Sequence, residues 1–522
     1  MLKKEVAYRL TIERSQNAMR KNPKVLFIYA PAQNLPGTVC KPQGALAHLY
    51  NAGTLLRAGV EVDIFDACVG RPKRDDLQQT FYRSTELPSG LLRTGVPVER
   101  ILEEAADSDV IGFTSIFSNQ ERMVLATIHL IKKTFPDKLV ITGGVNARSR
   151  MNKFFDAGVD AVFLSESEKI LPLLMAEAVR QRRRKRFDFT GISALASRAS
   201  DGTIVINRAQ SIDFCWNLDE LPMPAWHLHP NDRYAEIARP HGGDHAPGQL
   251  LRYASMMTSR GCPFNCAFCH IAGEIKTSLA GEIGRFRYKT IDRVLQEVEI
   301  LKGLGIETIY LEDDSLLAIK SRAFELLRSL LKASVRFADV NGVNAIHMLN
   351  KDGSPAHDVI ELLKEARINP IVLAFESGDT KIIDEYVSNK WNPQRHDMTA
   401  LIRACKAAGL YVGANYMLGF PTETRTQMEK TIRMAREHKE AGADHCNFFA
   451  VMPCPGTPLF ERSLACGYIR PDFDPDYLNW TQSIFINTPV SANEIEEVRQ
   501  RAWEEINGEP WKESKRAMVP KA

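Results

Sequence analysis

Short apolar runs alternate with stretches of helical periodicity through the N-terminal part of the chain. The predicted strands are 24–29, 60–65, 109–114, 139–142 and 161–164. Between them, apolar residues recur at the spacing of an amphipathic helix, as in 45–56, which ends at a helix-terminating Gly59. Strands that alternate with helices predict an α/β domain with a doubly wound parallel sheet.

The same alternation returns in the second half of the chain. The predicted strands are 254–258, 308–311, 337–343, 371–375, 411–417 and 445–451, with helical patterns between them. Six parallel strands with five intervening helices predict a partial (β/α)6 barrel. The functional groups of such a barrel gather at the C-terminal ends of its strands.

Segments interrupted by proline and glycine divide the chain into three predicted parts. The proline-broken segment 218–226 is a predicted linker, so the N-terminal α/β domain spans 1–225, the barrel 226–460 and a small C-terminal cap 461–522. Alternation in 192–206 around Asp201-Gly202 predicts a hairpin. The polar first 22 residues predict a loosely held helix or tail, and the His-, Gly- and Pro-rich 227–250 a connecting loop.

Composition excludes several classes of function. A net charge of +3 gives no argument for nucleic acid or an anionic membrane as partner. The chain has no apolar stretch of transmembrane length, and its first residues lack the apolar core of a signal peptide. Ten cysteines, mostly scattered singly, favour a reducing cytoplasm over a disulfide framework. We therefore expect a cytoplasmic protein with neither a nucleic-acid nor a membrane partner.

Three cysteines at C-x3-C-x2-C spacing directly follow the first predicted barrel strand. They are Cys262, Cys266 and Cys269. Gly261 and Pro263 cannot continue the strand or open a helix cleanly, so the cysteines are predicted to lie on a loop at the strand's C-terminal end. On such a loop several sulfurs can turn toward one point.

Three interpretations of this loop remain open on the residues alone. Three thiolates can hold a 4Fe-4S cluster with one iron left without a protein ligand. They could instead bind zinc with His270 as the fourth ligand. The sequence from Cys266 to His270 is also C-x-x-C-H, a c-type haem attachment pattern, but attachment requires export to an oxidising compartment.

The motif, with aromatic Phe268 before the last cysteine, resembles that of the radical S-adenosylmethionine (SAM) enzymes. In that family the amino and carboxylate groups of SAM chelate the open iron. One electron from the cluster then cleaves SAM to methionine and a 5'-deoxyadenosyl radical. The resemblance therefore implies a 4Fe-4S cluster on Cys262, Cys266 and Cys269, with SAM bound beside Phe268.

Polar and glycine-containing segments follow three of the predicted barrel strands. They are Glu312, Asp313 and Asp314 after the second strand, Glu376 and Ser377 after the fourth, and Gly419 and Glu423 after the fifth. Three adjacent acids are costly to bury unless they meet a cation. The resemblance implies that the acids bind the SAM ammonium group, the second segment the ribose hydroxyls, and the third the adenine. Helix capping is the alternative role for the acids and Glu376. Tyr310, Asn415 and Tyr416 are candidates to line the cavity, with their orientation left open.

Small and polar residues also follow three strands of the N-terminal sheet. They are Ser115, Ser118 and Asn119 after the third strand, Gly143 and Gly144 after the fourth, and Ser165 and Glu166 after the fifth. Glycines permit close backbone approach, and hydroxyls can hydrogen-bond the amides and phosphate of a ligand. Ordinary turns and helix caps use the same residues.

A five-stranded domain ahead of a radical SAM core is similar to the cobalamin-binding domain of the B12-dependent radical SAM enzymes. The turns at 143–144 and 165–168 match that family's loops around the corrin and its nucleotide tail, although Ser-Glu-Ser-Glu stands where members often have Gly-Glu-Gly-Glu. The chain lacks the Asp-x-His-x-x-Gly motif, so the resemblance implies no histidine on cobalt, whose lower face would meet residues such as Ser118 or Asn119.

The resemblance to the methyltransferase branch implies a C-methyltransferase acting on an unactivated carbon of a small molecule. It would use SAM, the cluster and cobalamin, with flavodoxin or ferredoxin as electron donor. A cobalamin-containing cyclase or rearrangement enzyme is the second hypothesis, and a non-catalytic cluster- or corrinoid-binding protein is the third. The acids at the barrel strand ends argue against the third, because storage of a cofactor needs no SAM pocket.

Overall fold

The computed structural model describes residues 19–38, 40–42, 46–184, 186–240, 250–339, 341–388 and 390–518, with side chains given as far as 513. The predicted tail therefore lies almost wholly outside the described residues, as do His241 and His245 of the predicted loop. No helix in the described ranges is long and apolar enough to cross a membrane.

The N-terminal part contains ten strands and seven helices among its described residues. The strands are β1 (Lys24–Tyr29), β2 (Ala32–Asn34), β3 (Glu61–Asp66), β4 (Thr85–Glu86), β5 (Leu92–Thr94), β6 (Val110–Thr114), β7 (Leu139–Gly143), β8 (Ala161–Phe163), β9 (Leu195–Arg198) and β10 (Ile204–Asn207). The helices are α1 (Leu46–Arg57), α2 (Leu77–Thr80), α3 (Val98–Ala106), α4 (Glu121–Thr134), α5 (Val145–Ser149), α6 (Met151–Ala157) and α7 (Ile170–Arg180).

The main N-terminal sheet has the order β10-β9-β8-β7-β6-β1-β3. Its five strands from β8 to β3 are parallel, and the β9–β10 hairpin extends the sheet antiparallel to β8. Apolar cores cover both faces of the sheet, as expected when every crossover carries a helix. The doubly wound sheet and the hairpin are confirmed. The small antiparallel sheet β2-β5-β4 was not predicted, because its strands have only two or three residues.

The remainder of the described chain contains eight strands and ten helices. The strands are β11 (Tyr253–Met256), β12 (Ser259–Arg260), β13 (Arg287–Tyr288), β14 (Thr308–Leu311), β15 (Arg336–Asp339), β16 (Ile371–Glu376), β17 (Val412–Leu418) and β18 (His445–Ala450). The helices are α8 (Asn231–Ile237), α9 (Ile291–Gly303), α10 (Lys320–Leu330), α11 (His357–Glu365), α12 (Thr380–Tyr386), α13 (Met398–Ala407), α14 (Arg425–Glu440), α15 (Pro458–Ala465), α16 (Ala492–Ile506) and α17 (Glu509–Met518).

Six parallel strands form the predicted partial barrel. They pair in the order β11-β14-β15 and β16-β17-β18, and single bridges such as Val343 to Leu373 join the two halves. The hairpin β12–β13 flanks the loop after β11. Helix α8 corrects the expectation of an irregular loop over 227–250. It forms because Tyr234 and Ile237 pack into an apolar cluster that the local sequence does not reveal.

Residues alternate along the barrel strands between a side that faces the helices and a side that faces the lumen. Ala254 and Ile309 belong to the core shared with the outer helices, whereas Tyr253 and Tyr310 pack on the opposite side. Tyr416 faces outward and hydrogen-bonds His438 of α14, with 2.7 Å between Oη and Nδ1. The open question of orientation is therefore answered: Tyr310 faces the lumen and Tyr416 does not.

A buried ion network fixes α9 against the N-terminal part. Glu297 accepts hydrogen bonds from Lys289 and, at 2.8 Å, from Nε of Arg293. The Lys289 ammonium also donates to the Tyr50 hydroxyl of α1 at 2.8 Å. The side chains of Lys289 and Glu297 are 1% and 0% exposed, so each charge depends on its partners for solvation.

Glu297→Gln is expected to lower the free energy of unfolding by about 3–5 kcal/mol, because it leaves two buried cations without a carboxylate. Glu299→Gln on the same helix is the matched control. Glu299 pairs with Lys302 at 2.7 Å in a largely exposed bridge, so a loss of about 0–1 kcal/mol is expected. Urea unfolding under nitrogen measures both values. Equal losses of unfolding free energy in the two variants would show that the buried network contributes no more stability than the exposed bridge.

Candidate functional site

The three cysteines lie on a loop braced on several sides by the barrel. The Cys262 N–H donates to the carbonyl of Gly284 at 3.1 Å, and the Ala267 N–H donates to that of Tyr386 at 2.8 Å. The Cys266 thiol lies 3.4 Å from the carbonyl oxygen of Val387. The loop therefore has a fixed shape at the C-terminal end of β11, where functional groups of such barrels gather.

The Cys262 sulfur is close enough to the Cys266 and Cys269 sulfurs to affect their pKa values. The negative charge that Cys262 would carry as a thiolate raises the pKa of both Cys266 and Cys269. Burial is the larger effect, and it raises the pKa of Cys266 to about 11. The backbone N–H groups of Phe264 and Ile271 face the Cys262 and Cys269 sulfurs and oppose this rise. Three free thiols on one loop, two of them opposite backbone N–H donors, fit a cluster held by three cysteines.

The zinc interpretation finds no support in this geometry. In the described part of the chain, no group of three or more His, Cys, Asp or Glu side chains is arranged around a single metal ion. His270 instead lies beside Glu274, with 3.4 Å between Nδ1 and Oε1. A 4Fe-4S cluster needs no fourth protein ligand, so the three cysteines suffice for it.

The acids after β14 have different surroundings. Asp313 accepts hydrogen bonds from the backbone and hydroxyl of Thr258, at 3.0 and 2.7 Å, and from the Ser259 hydroxyl. Asp314 accepts from the Gly261 N–H at 2.8 Å, directly before the first cysteine. These two acids therefore brace the entry to the cysteine loop. The Glu312 carboxylate has fewer partners, because among the described side chains it accepts a hydrogen bond only from Ser255.

A buried cation beside the cysteines was not predicted from the sequence. The Lys390 ammonium donates to Glu376 Oε1 at 2.7 Å and to Asn344 Oδ1 at 3.3 Å. Burial raises the pKa of Cys262 and Cys266, and the positive charge of Lys390 opposes that rise. In return, although burial opposes it, Glu376 and the two cysteines raise the pKa of Lys390. Lys390 is thus a fixed positive charge between the predicted ribose-binding carboxylate and the cysteine loop.

The remaining predicted SAM residues mostly shape the site. The Ser377 hydroxyl is fully buried, 3.3 Å from that of Thr431 on α14. Glu423 accepts from the backbone N–H of Gly419 at 2.7 Å and of Phe420 at 3.1 Å, and so fixes the loop after β17. Burial raises the pKa of Glu423 to about 8. The Phe268 ring lies 6.2 Å from the Phe420 ring, which brings that loop next to the cysteine loop.

The residues predicted at the ends of β6 and β7 form one hydrogen-bonded edge. Asn146 joins them: it donates to the Ser115 hydroxyl at 3.0 Å and accepts from that of Ser118 at 2.9 Å. Gly143 accepts from the Ser115 N–H at 2.8 Å. The backbone carbonyl oxygen of Asn119 accepts a hydrogen bond from Gln33 Nε2 at 2.7 Å.

This edge offers an open apolar surface. Gly144 has φ +101°, and a Cβ there would lie 2.4 Å from the Ser115 carbonyl oxygen. Ile116 and Phe117, on the same loop, are each 42% exposed. A tightly apposed backbone next to exposed apolar side chains and hydroxyls fits a large flat ligand with an apolar face and polar margins, as a corrin has.

The turn after β8 connects the two sheets. Ser165 donates to the Ala280 carbonyl at 2.8 Å. Glu166 accepts hydrogen bonds from Nη1 and Nη2 of Arg287, at 2.9 and 2.6 Å, and lies 3.2 Å from Nη1 of Arg260. These arginines lower the pKa of Glu166 despite its burial. Arg260 directly precedes the cysteine loop, so this turn fixes the cysteines relative to the N-terminal sheet.

The sequence missed Lys390, Arg260 and Arg287 for a common reason, and it reached Asn146 only as part of the segment after β7. Each is a polar residue whose role comes from partners distant in the chain, and none falls in a motif. The only local signal was position, because Asn146 directly follows the glycine turn after β7.

The family comparison identifies the barrel. Residues 256–435 match the model of the Radical SAM superfamily. A cytidylyl-2-hydroxyethylphosphonate methyltransferase from Streptomyces wedmorensis is 25% identical over 84% of this chain and 81% of its own length. The cobalamin-dependent radical SAM methyltransferase TokK from Streptomyces tokunonensis is 22% identical over 63% of this chain and 45% of its own length.

A solved structure has the same fold over most of the chain. It is the radical SAM methyltransferase TsrM from Kitasatospora setae, with cobalamin and a [4Fe-4S] cluster bound. The TM-score is 0.58 at 16% identity, and the match covers 86% of this chain and 79% of TsrM. Residues 256–435 therefore form a radical SAM domain, and the chain has a fold similar to that of TsrM. These likenesses support the predicted resemblance to the methyltransferase branch of the B12-binding radical SAM enzymes.

Proposed function

We propose that this protein is a cobalamin-dependent radical SAM C-methyltransferase that acts on an unactivated carbon of a small molecule. The observation that carries the proposal is the pairing of two sites in one fold. A three-cysteine loop at the barrel mouth is joined by the buried Glu166–Arg287 and Glu166–Arg260 contacts to an N-terminal sheet whose edge fits a corrin. When bound, the cluster supplies the electron that cleaves SAM, and the corrinoid supplies methyl-transfer chemistry.

The chain's own residues would do three things around these groups. Cys262, Cys266 and Cys269 hold three irons and leave the fourth open. Glu312 and Glu376 at the strand ends offer carboxylates to the ammonium and hydroxyl groups of SAM. Lys390 offers its ammonium to a carboxylate, because a buried lysine is stable only beside negative charge. The methionine end of SAM carries both charges.

Ser115, Ser118 and Gly144 would support the corrin on the N-terminal edge. Their network presents hydroxyls at the margin of the surface formed by Ile116 and Phe117. Ser165 and Glu166 instead contact the barrel, so we propose that they position the two sites relative to each other.

Lys390→Met is expected to weaken SAM binding about tenfold or more, because it removes the cation and leaves Glu376 buried without its partner. Equilibrium dialysis of the cluster-loaded protein under nitrogen measures the dissociation constant. Lys381→Met is the control, since Lys381 is exposed on α12. Unchanged affinity in Lys390→Met would exclude this lysine from the SAM site.

The proposed function is tested by product analysis. The protein is expressed with hydroxocobalamin, purified without oxygen and incubated with SAM, a reductant and candidate substrates. S-adenosylhomocysteine formed beside 5'-deoxyadenosine is expected from methylation. A full cluster that never binds corrinoid, even on reconstitution, would overturn the methyltransferase proposal and leave the radical SAM domain.

A cyclase or rearrangement activity is the second candidate. An anaerobic magnesium-protoporphyrin IX monomethyl ester cyclase from Rubrivivax gelatinosus is 24% identical over 68% of this chain and 58% of its own length. Formation of 5'-deoxyadenosine without S-adenosylhomocysteine would favour that activity.

We also propose the boundaries 1–225, 226–460 and 461–522 for the N-terminal domain, barrel and cap. A flavodoxin or ferredoxin is the proposed electron donor, and nucleic acid is not a proposed partner. The described cysteines form no disulfide, which supports a reducing cytoplasm as the proposed location.

A further inference from the structure

A buried serine adjoins the start of the cysteine loop. Ser315 is 2% exposed and directly follows Asp314. The Asp314 carboxylate accepts from the Gly261 N–H at 2.8 Å, so the segment after β14 is tied to the residue before Cys262. Burial raises the pKa of the Cys262 thiol, and the Ser315 hydroxyl faces this sulfur and opposes the rise. The serine is therefore a neighbour of the first cluster ligand.

A histidine contacts the same serine and the other side of the loop. His347 Nε2 lies 3.4 Å from the Ser315 hydroxyl oxygen. The His347 ring packs 5.5 Å from that of Phe264, which is two residues after Cys262. Burial lowers the pKa of His347 to about 4, so the ring is neutral and one of its nitrogens carries a proton. Contacts before and after Cys262 thus fix Ser315 beside it.

An asparagine joins the serine to the buried Lys390. The Lys390 ammonium lies 3.3 Å from one polar atom of the Asn344 amide and donates to Glu376 at 2.7 Å. Because an ammonium group has only donors, the Asn344 atom that faces it must be the carbonyl oxygen. The amide nitrogen therefore faces Ser315 and donates to its hydroxyl oxygen at 3.3 Å. Lys390 thus determines which way the Asn344 amide points.

This arrangement decides where the Ser315 proton goes. A serine hydroxyl has one proton to donate and two lone pairs that accept. Asn344 fills one lone pair, and His347 fills the second when its proton is on Nε2. Among the described residues, the Cys262 sulfur is then the acceptor left for the hydroxyl proton.

We propose that Ser315 is a positioning residue that raises the reduction potential of the cluster by donating a hydrogen bond to the Cys262 sulfur. Asn344, its partner Lys390 and the Nε2-protonated His347 fix the direction of this bond. Reduction adds one negative charge, and hydrogen bonds and positive charge beside the sulfurs favour the reduced state. The electron comes from the external reductant, and the Ser315 proton stays on its oxygen. This inference rests on the cluster of the proposed function and adds the residues that set how readily it is reduced.

Ser315→Ala is expected to make the cluster about tenfold harder to reduce, which lowers its midpoint potential by about 59 mV for one electron. The variant removes the O–H donor and leaves all three cysteines in place. The protein is reconstituted with iron and sulfide and titrated under nitrogen without SAM, and electron paramagnetic resonance measures the reduced cluster. A midpoint does not depend on how many chains are loaded, so partial loss of iron leaves the measurement intact.

Three further variants separate the hydroxyl from packing. Ser315→Thr keeps the hydroxyl and is expected to keep the wild-type potential. Asn344→Ala lets the hydroxyl rotate, so its potential is expected between those of the wild type and Ser315→Ala. Ser321→Ala, at an exposed serine of α10, is the control and should change nothing.

Two results would overturn the proposal. One is a wild-type midpoint potential in both Ser315→Ala and Asn344→Ala. The other is an equal fall in Ser315→Ala and Ser315→Thr, which would assign the effect to packing instead of the hydroxyl.

These outcomes are distinguishable from failure of the proposed function. Corrinoid loading and S-adenosylhomocysteine formation, with no change of potential in Ser315→Ala, would refute the role of Ser315 alone. A potential that depends on Ser315 in a protein that never loads corrinoid would refute the methyltransferase and keep the role of Ser315. A wild-type protein that binds no iron would overturn both.

Discussion

Cys266→Ala is expected to abolish iron binding and every SAM-dependent reaction of this protein. The Cys266 residue is 7% exposed, and the loop around it is fixed by Tyr386 and Val387. No neighbouring thiol can take its place without remodelling that loop. Iron should fall from about four per chain to a trace after anaerobic reconstitution. 5'-Deoxyadenosine formation should fall to background with it.

Cys405→Ala is the matched control for this loss. Cys405 is 0% exposed and free, but it lies on α13 and its role is packing. It should keep its iron, its sulfide and its rate of SAM cleavage. If Cys266→Ala retained a full cluster by iron analysis and electron paramagnetic resonance, the assignment of the loop would be wrong.

Gly144→Ala is expected to remove most corrinoid binding while leaving the cluster intact. Gly144 has φ +101° and ψ 160°, a region that only glycine adopts without strain. The added Cβ would lie 2.4 Å from the Ser115 carbonyl, which accepts hydrogen bonds from the N–H groups of Asn146 and Ala147. Relief of this clash must displace the edge proposed to support the corrin.

Strain of about 1–3 kcal/mol corresponds to a loss of roughly 5- to 150-fold in corrinoid affinity if binding restores the native edge. Corrinoid absorbance after desalting measures the loss, and iron per chain is the internal control. Gly202→Ala is the matched variant, because Gly202 also has positive φ but has nothing within 4 Å of its added Cβ. Undiminished corrinoid in Gly144→Ala would place the cofactor elsewhere.

The two variants together test whether the sites are separable. Cys266→Ala should keep corrinoid and lose iron, and Gly144→Ala should show the reverse. Loss of both cofactors in either variant would point to coupling through Glu166 and its arginines, which connect the sheet edge to the cysteine loop.

The sequence by itself determined both sheets and the position of the cysteine loop. Strand and helix periodicities are local, so the runs at β1, β6 and β14 could be recognised without knowledge of their neighbours. The motif from Cys262 to Cys269 is also local, and its resemblance to the radical SAM motif implied a cluster. The glycine turn at Gly144 was identified by its position after a strand.

Tertiary structure alone decided which polar residues serve these sites. A lysine such as Lys390 is normally a surface residue, and only the fold shows that Glu376 and the cysteines surround it. Strand alternation gave Asn415 and Tyr416 opposite faces but could not say which face was the lumen. That assignment depends on where the outer helices pack, and helix packing depends on contacts between residues far apart in the sequence.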